Sequence, residues 1–312
     1  MNVLFIDTVH ALPQEKLEAN GFTCLDGSKM DRQAVENALG NIDGIVIRSR
    51  FTMDETILKF APQLKFIARS GAGMENIDEA YCSARNIVLF NAPEGNRTAV
   101  GEQALGMLLS LFNHLVRGNE EVRKGIWDRE GNRGIELTGK TVGIIGYGNN
   151  GSAFAKVLRG FDCTVLAYDK YKTGFGDAFV TESSLEAIFE QADVVSFHIP
   201  QNEETLFMGN AEFFQAFHKS IYLLNLSRGK IVRIADLLQA IENGKVLGAG
   251  LDVLEFESKS FEQFEAANNP TIEKLFASNK VLLSPHVGGW TKESYVKLSA
   301  VLADKILAHF KA

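Results

Sequence analysis

The chain has 312 residues, of which 46% are hydrophobic and 23% charged, a balance that excludes a disordered chain and a length that favours two domains over one. Its net charge of −7, from 32 basic and 39 acidic side chains, repels phosphate backbones, so no nucleic acid partner is expected. Cys24, Cys82 and Cys163 are scattered, odd in number and free of any CxxC spacing, which excludes a disulfide framework and leaves no metal site to expect.

The elements follow in chain order. The apolar run Val3–Ile6 has no basic leader and is cut short by Asp7, so it reads as a first strand and not as a signal peptide. Phe22–Leu25, Gly44–Ile47, Phe66–Ala68 and Ile87–Phe90 are further strand candidates, each followed by polar or glycine-rich residues. Leu105, Leu108, Leu109, Phe112, Leu115 and Val116 recur at helical spacing and predict one long helix. A second strand series then begins: Val142–Ile145, Val165–Tyr168, Val194–Ile199, Ile221–Leu226, Gly250–Leu254 and Val281–Leu283. Within it Ser183 and Glu186 make a capping box, and Gly244 closes a helix over Asp236–Asn243. Val296, Val301, Leu302, Ile306 and Phe310 predict a final amphipathic helix. Strands alternating with helices throughout mean an α/β protein with parallel sheets. No apolar stretch approaches the roughly 20 residues that span a bilayer, so no membrane partner is expected, and a reducing cytoplasm is the expected compartment.

The strand Thr141–Ile145 runs into Gly146-Tyr-Gly148-Asn149-Asn150-Gly151 and then into a helix. Gly146 permits the tight turn, Gly148 lets the backbone approach a pyrophosphate, and Gly151 lets helix and strand pack closely. A GxGxxG alone is weak, but here a second strand ends in Asp169, near the spacing of about 20 residues that places a carboxylate on the adenosine ribose. That carboxylate disfavours a 2′-phosphate, so NAD is the expected cofactor although Lys170 and Lys172 lie close.

Three later strand ends carry Asn225-Leu-Ser-Arg228-Gly229, Gly250-Leu-Asp252-Val-Leu-Glu255-Phe-Glu257 and Ser284-Pro-His286-Val-Gly288-Gly289. Dehydrogenation of an alcohol needs a base for the hydroxyl proton, which histidine supplies near neutrality, and a paired carboxylate favours the imidazolium. It also needs a cation for carboxylate and carbonyl, which arginine supplies with a planar fork. Singly, Arg228 reads as a helix-end cation, His286 as a turn histidine and Glu257 as a solvated side chain. Together, behind a dinucleotide fingerprint, they read as a catalytic set.

With these motifs in order, joined by Arg48-Ser-Arg50, Arg69-Ser-Gly-Ala-Gly73 and Asn76-Ile-Asp78, the chain resembles the D-isomer-specific 2-hydroxyacid dehydrogenases over nearly its whole length. Within that family it is most similar to the phosphoglycerate dehydrogenases. The resemblance implies two doubly wound parallel-sheet domains: a Rossmann NAD-binding domain, residues 96–290, inserted into a flavodoxin-like substrate domain of residues 1–95 and 291–312. It implies that Arg228, Glu257 and His286 are catalytic. Gly146, Gly148, Asn149, Asn150, Gly151 and Asp169 would hold the adenosine and phosphate part of NAD, with Ile199, Leu226, Asp252, Gly288 and Gly289 toward the nicotinamide. Ser70, Gly71, Ala72 and Gly73 would receive the carboxylate of a small 2-hydroxy or 2-oxo acid, and the partner would be a second copy in a homodimer.

The chain departs from the family pattern at Asn149, where arginine is usual, and after Glu257, where proline is missing and a longer segment, Ser258–Lys280, intervenes. Glu255 is a rival partner for the histidine. Longer relatives carry a C-terminal regulatory domain, and feedback by that route is not expected here. Arg48, Arg50 and Arg69 follow neighbouring strands and are expected to converge on a phosphorylated substrate tail. The alternative is that they are solvated or paired with Asp7 and Asp78. The functional alternatives are a glyoxylate/hydroxypyruvate or D-lactate type reductase, and a non-catalytic NAD-sensing protein.

Overall fold

A computed structural model describes residues 1–257 and 269–310. The chain opens with β1 (Asn2–Phe5), α1 (Leu12–Glu18), β2 (Thr23–Asp26), α2 (Arg32–Ala38) and β3 (Gly44–Ile47). It continues through α3 (Glu55–Leu58), β4 (Phe66–Arg69), α4 (Glu79–Ala84), β5 (Val88–Phe90) and α5 (Pro93–Phe112). Next come α6 (Leu115–Arg123), β6 (Thr141–Ile145), α7 (Asn149–Leu158), β7 (Thr164–Tyr168), β8 (Val180–Glu182) and α8 (Leu185–Gln191). The rest is β9 (Val194–Phe197), α9 (Ala211–Ala216), β10 (Ile221–Asn225), α10 (Ile234–Glu242), β11 (Val246–Leu251), α11 (Pro270–Ala277), β12 (Val281–Leu283) and α12 (Lys292–Phe310).

Two compact units divide the described residues: 1–97 with 290–310, and 98–257 with 269–289. The first holds a five-stranded sheet in the order β2-β1-β3-β4-β5, every pair parallel. This is the flavodoxin-like doubly wound order. β3 and β4 are buried along their whole length, as parallel strands covered on both faces must be. One face of the unit packs Val35, Ile57 and Leu58, the other packs Leu17 with Leu298, Leu302 and Ile306 of α12. Asp31, Asp54 and Asp78 start α2, α3 and α4 by accepting hydrogen bonds from first-turn amides.

The second unit holds a seven-stranded parallel sheet in the order β12-β11-β10-β9-β6-β7-β8. β6 begins this sheet in sequence and lies between β9 and β7, so the strand order reverses there, the doubly wound Rossmann arrangement. Its two apolar layers are built on Phe197, Phe213, Phe214 and Phe217 on one face and Phe112, Phe154 and Leu158 on the other.

Four local readings are corrected. The cap of α8 is Ser184, whose hydroxyl accepts from Ala187 N, and not Ser183, whose amide instead continues the β7–β8 pairing by donating to Ala167 O. The long predicted helix ends at Phe112; His114 takes φ +50, and Leu115 and Val116 start a separate helix and stay exposed. β11 starts four residues earlier than expected, because Gly248 and Gly250 mask a strand whose glycines admit Tyr222, Leu224 and Met107 at close range. β8 is an edge strand in which Val180 alone is buried, too short to show a pattern.

Candidate active site

At the reversal point β6 feeds the glycine turn. Gly146 has φ +94, a left-handed conformation that side chains resist, and a Cβ there would meet His198 O and Ile199 Cγ2. A Cβ on Gly151 would overlap Gly146 O, so turn and helix pack in direct contact. At Gly148 a Cβ would meet nothing within 4 Å; the backbone there faces open space. Gly148 caps α7 with no side-chain hydrogen bond, leaving the first-turn amides directed at whatever approaches. Asn149 and Asn150 form that first turn, and Asn150 Oδ1 is buried without a partner among the described residues. A dinucleotide fits this cradle: a helix N-terminus, an unobstructed glycine and an unsatisfied buried acceptor. Asp169, at the end of β7, accepts from Tyr147 N at 2.8 Å through one oxygen and from Tyr171 N and Lys172 N at 3.0 and 3.1 Å through the other. It is therefore fixed against the glycine turn.

The strand ends of β10, β11 and β12 gather the next group. Asp252 is buried at 2% exposure and organises it. Its carboxylate accepts from Ser284 Oγ at 2.5 Å, Val287 N at 2.9 Å and Gly288 N at 2.7 Å, while its carbonyl accepts from His286 N at 2.8 Å. Asp252 thus holds the His286 loop from behind. His286 sits at φ +53, an uncommon conformation for a side-chain-bearing residue that the surrounding bonds sustain. A Cβ on Gly288 would come 2.8 Å from Asp252 Oδ2 and 3.3 Å from Leu226 Cδ2, so Leu226 and Gly288 are neighbours. Gly289 follows, half-buried.

His286 Nδ1 lies 2.7 Å from Glu257 Oε2, with both side chains largely covered. The other Glu257 oxygen accepts from Leu254 N, which locks the carboxylate on the histidine side. Glu255 faces elsewhere: its Oε1 accepts from Ile234 N at 2.8 Å at the start of α10, and burial pushes its carboxyl up. Arg228 stands between Ser227 and Gly229. Its Nη1 donates to Ser227 O at 2.7 Å, and its own carbonyl accepts from Asn225 Nδ2 at 3.0 Å. A Cβ on Gly229 would overlap Leu254 O, so the Arg228 loop and the segment carrying Glu257 touch through backbone.

In the first unit, the Ser70–Gly73 loop follows β4. Ser70 is buried, with its amide on Ile47 O, and Ala72 O accepts from Asn91 Nδ2. The amides of Ala72 and Gly73 make no hydrogen bond among the described residues. The three arginines diverge from expectation. Arg69 is buried and donates to Arg48 O at 3.0 Å and Gly73 O at 2.5 Å, bracing the loop. Arg50 directs its guanidinium to the carbonyls of Ser28 and Met30, 2.6 Å each. Arg48 lies over the Trp290 ring, 4.5 Å from its centroid. Convergence of all three on one phosphate is therefore corrected: backbone carbonyls engage two of them. Asp7 does not pair with the guanidinium groups either; its Oδ2 accepts from the amides of Arg48, Ser49 and Arg50.

Sequence reasoning gave no role to His198, Ser284 or Trp290. His198 is buried, its Nε2 sits 2.8 Å from Ser196 Oγ, and burial pushes its pKa down to about 3. Its position two residues after an inward-facing serine, at the end of an otherwise apolar strand, was the available signal. The segment after Glu257 lies outside the described residues up to 268; its remainder forms α11 and the approach to β12. Among the described residues no group of metal-ligating side chains occurs, and no helix is long and apolar enough to cross a membrane.

The fold and these strand-end groups define a dehydrogenase-type Rossmann protein. The model for the D-isomer specific 2-hydroxyacid dehydrogenase NAD binding domain matches residues 105–288, and the chain belongs to that family. It is 33% identical over 278 residues to D-3-phosphoglycerate dehydrogenase of Bacillus subtilis, covering 88% of this chain and 51% of the relative. It is 30% identical to hydroxypyruvate reductase of Thermotoga maritima, covering 89% and 88%. The chain spans about half the length of the phosphoglycerate dehydrogenases it matches first. Among solved structures, D-lactate dehydrogenase from Aquifex aeolicus, complexed with NAD and lactic acid, superposes with a TM-score of 0.82 at 28% identity, covering 100% of this chain and 96% of that one.

Proposed function

We propose that the protein is an NAD-dependent oxidoreductase that interconverts a D-2-hydroxy acid and its 2-oxo acid, with Arg228, Glu257 and His286 as its catalytic residues. The observation that carries this is the 2.7 Å contact of His286 with Glu257, in the same unit as the dinucleotide turn. Glu257 on Nδ1 fixes the tautomer and directs Nε2 to the substrate hydroxyl, whose proton it takes as the alcohol is oxidised and returns in reduction. The carboxylate stabilises the imidazolium formed on the way. Arg228 grips the substrate carboxylate and polarises the carbonyl oxygen. Bound NAD supplies the acceptor for the hydride leaving the alcohol carbon. The glycine turn, Asn149, Asn150 and Asp169 would hold it by pyrophosphate and ribose, with Ile199, Leu226, Gly288 and Gly289 beside the nicotinamide. The amides of Ala72 and Gly73 receive the carboxylate of the acid.

The substrate proposed is 3-phosphoglycerate with 3-phosphohydroxypyruvate, in serine biosynthesis in the cytoplasm, supported by the similarity to phosphoglycerate dehydrogenases and by Arg48 at the end of β3. The second reading, an unphosphorylated hydroxypyruvate or glyoxylate, is favoured by the engagement of Arg50 and Arg69 with backbone carbonyls. Arg48→Ala separates them. It should raise KM for 3-phosphohydroxypyruvate at least tenfold, a loss of about 1.4 kcal/mol or more, and leave hydroxypyruvate nearly unaffected. Equal effects on both favour the second reading.

The assembly proposed is a homodimer. Leu115, Val116, Val122, Ile126 and Trp127 are exposed within one short stretch, an apolar density that a second copy would cover.

A further inference from the structure

Two lysines follow Asp169, the kind of cations that hold a 2′-phosphate, yet neither projects as a bare charge. Lys170 Nζ lies 2.8 Å from Glu204 Oε2, and the Tyr171 hydroxyl donates to the same oxygen at 2.6 Å. Lys172 Nζ donates to Tyr147 O at 3.3 Å. The backbone of Tyr171 and Lys172 wraps the Asp169 carboxylate, so the stretch 169–172 is tied to the glycine turn on one side and to Glu204 on the other. Glu204 comes from the loop after β9, the loop whose Ile199 lies within 3 Å of where a Gly146 Cβ would stand. The loop bearing Glu204 is itself fixed: Asn202 Oδ1 accepts from Glu204 N and Thr205 N, and Thr205 Oγ1 donates to Pro200 O.

We propose that Glu204 is a specificity-determining residue: it withholds Lys170 from a 2′-phosphate, so that discrimination against NADP rests on Asp169 and Glu204 together. The proposal rests on the assignment of the adenosine ribose to Asp169. A carboxylate in contact with an ammonium group cancels most of its field within a few ångströms. Burial does not strengthen the pair, since both side chains are about half exposed. The expected effect is therefore modest, and it is confined to the ligand that carries the extra phosphate. Glutamine at position 204 keeps the length of the side chain and an acceptor for Tyr171 while removing the charge.

The test is direct binding, by calorimetry on the full chain, of adenosine 2′,5′-bisphosphate and adenosine 5′-monophosphate. Glu204→Gln should tighten the bisphosphate about fivefold relative to the monophosphate, and the gain should shrink in high salt. Adding Lys170→Ala should cancel the gain. The proposal is overturned if the ratio of the two affinities does not move in Glu204→Gln, or if the gain survives the loss of Lys170. If Asp169→Ala leaves both affinities at their wild-type values, the ribose assignment beneath the proposal fails as well, which separates the two.

Discussion

Glu255 and Glu257 stand two positions apart on one strand-end loop, and their partners decide their work. Glu255 caps the start of α10, whereas Glu257 holds His286. His286→Ala and Arg228→Ala should each lower kcat by about 10²–10⁴-fold while the affinity for NADH, read by fluorescence titration, stays within a few-fold. Glu257→Gln should lose less than His286→Ala, since the base remains and only its orientation and charge support weaken. Glu255→Ala should leave turnover largely intact and lower stability, as removal of a cap does, by about 1 kcal/mol. His198 gives a pH prediction of definite sign. Its folded pKa of about 3 lies below the ordinary 6.5, so only the unfolded chain takes up the proton between those values. Its contribution to stability is intact above pH 6.5 and is lost as pH falls toward 3, by about 1.4 kcal/mol per pH unit for one group. Urea unfolding at pH 7 and pH 5 checks it: the wild type should lose more stability over that interval than His198→Gln.

Elements position these groups through glycine contacts more than through side-chain packing. Gly229 permits the Arg228 loop to touch Leu254, and Gly151 permits α7 to sit on the Gly146 carbonyl. Gly151→Ala should therefore weaken NADH binding at least tenfold and lower the melting temperature together, because turn and helix must separate. At this scale the sequence was legible wherever a period or a fingerprint was unbroken, as in β6 with its glycine turn and in β3 and β4. It was not legible where tertiary packing overrode the pattern. Gly248 and Gly250 interrupt β11, yet Gly248 is what lets Tyr222 pack there, and Gly250 what lets Leu224 and Met107 do so. The break at His114 was hidden because Leu115 and Val116 continue the spacing while facing out. Of the candidate site, the fingerprint, Arg228 and His286 were readable by type and order. The choice of Glu257 over Glu255, and the turning of Arg50 and Arg69 into backbone carbonyls, depend on side-chain directions that spacing does not encode.

For the whole molecule, the exposed stretch from Leu115 to Trp127 predicts a concentration-dependent assembly. Sedimentation of the wild type should give a dimer, and Trp127→Glu should shift it toward monomer without unfolding it. A monomer in the wild type at all concentrations would remove the dimer proposal. The central claim is the chemistry of the Glu257–His286 pair acting with NAD on a 2-oxo acid, and one measurement tests it most directly. NADH consumption by wild type and His286→Ala is followed with 3-phosphohydroxypyruvate, hydroxypyruvate and pyruvate, with NADH binding measured on the same samples. The account predicts turnover of at least one acid by the wild type, a fall of about 10²–10⁴-fold in the variant, and retained NADH binding in both. Near-normal turnover in His286→Ala, or NADH binding by the wild type with no turnover of any of the three, would contradict it.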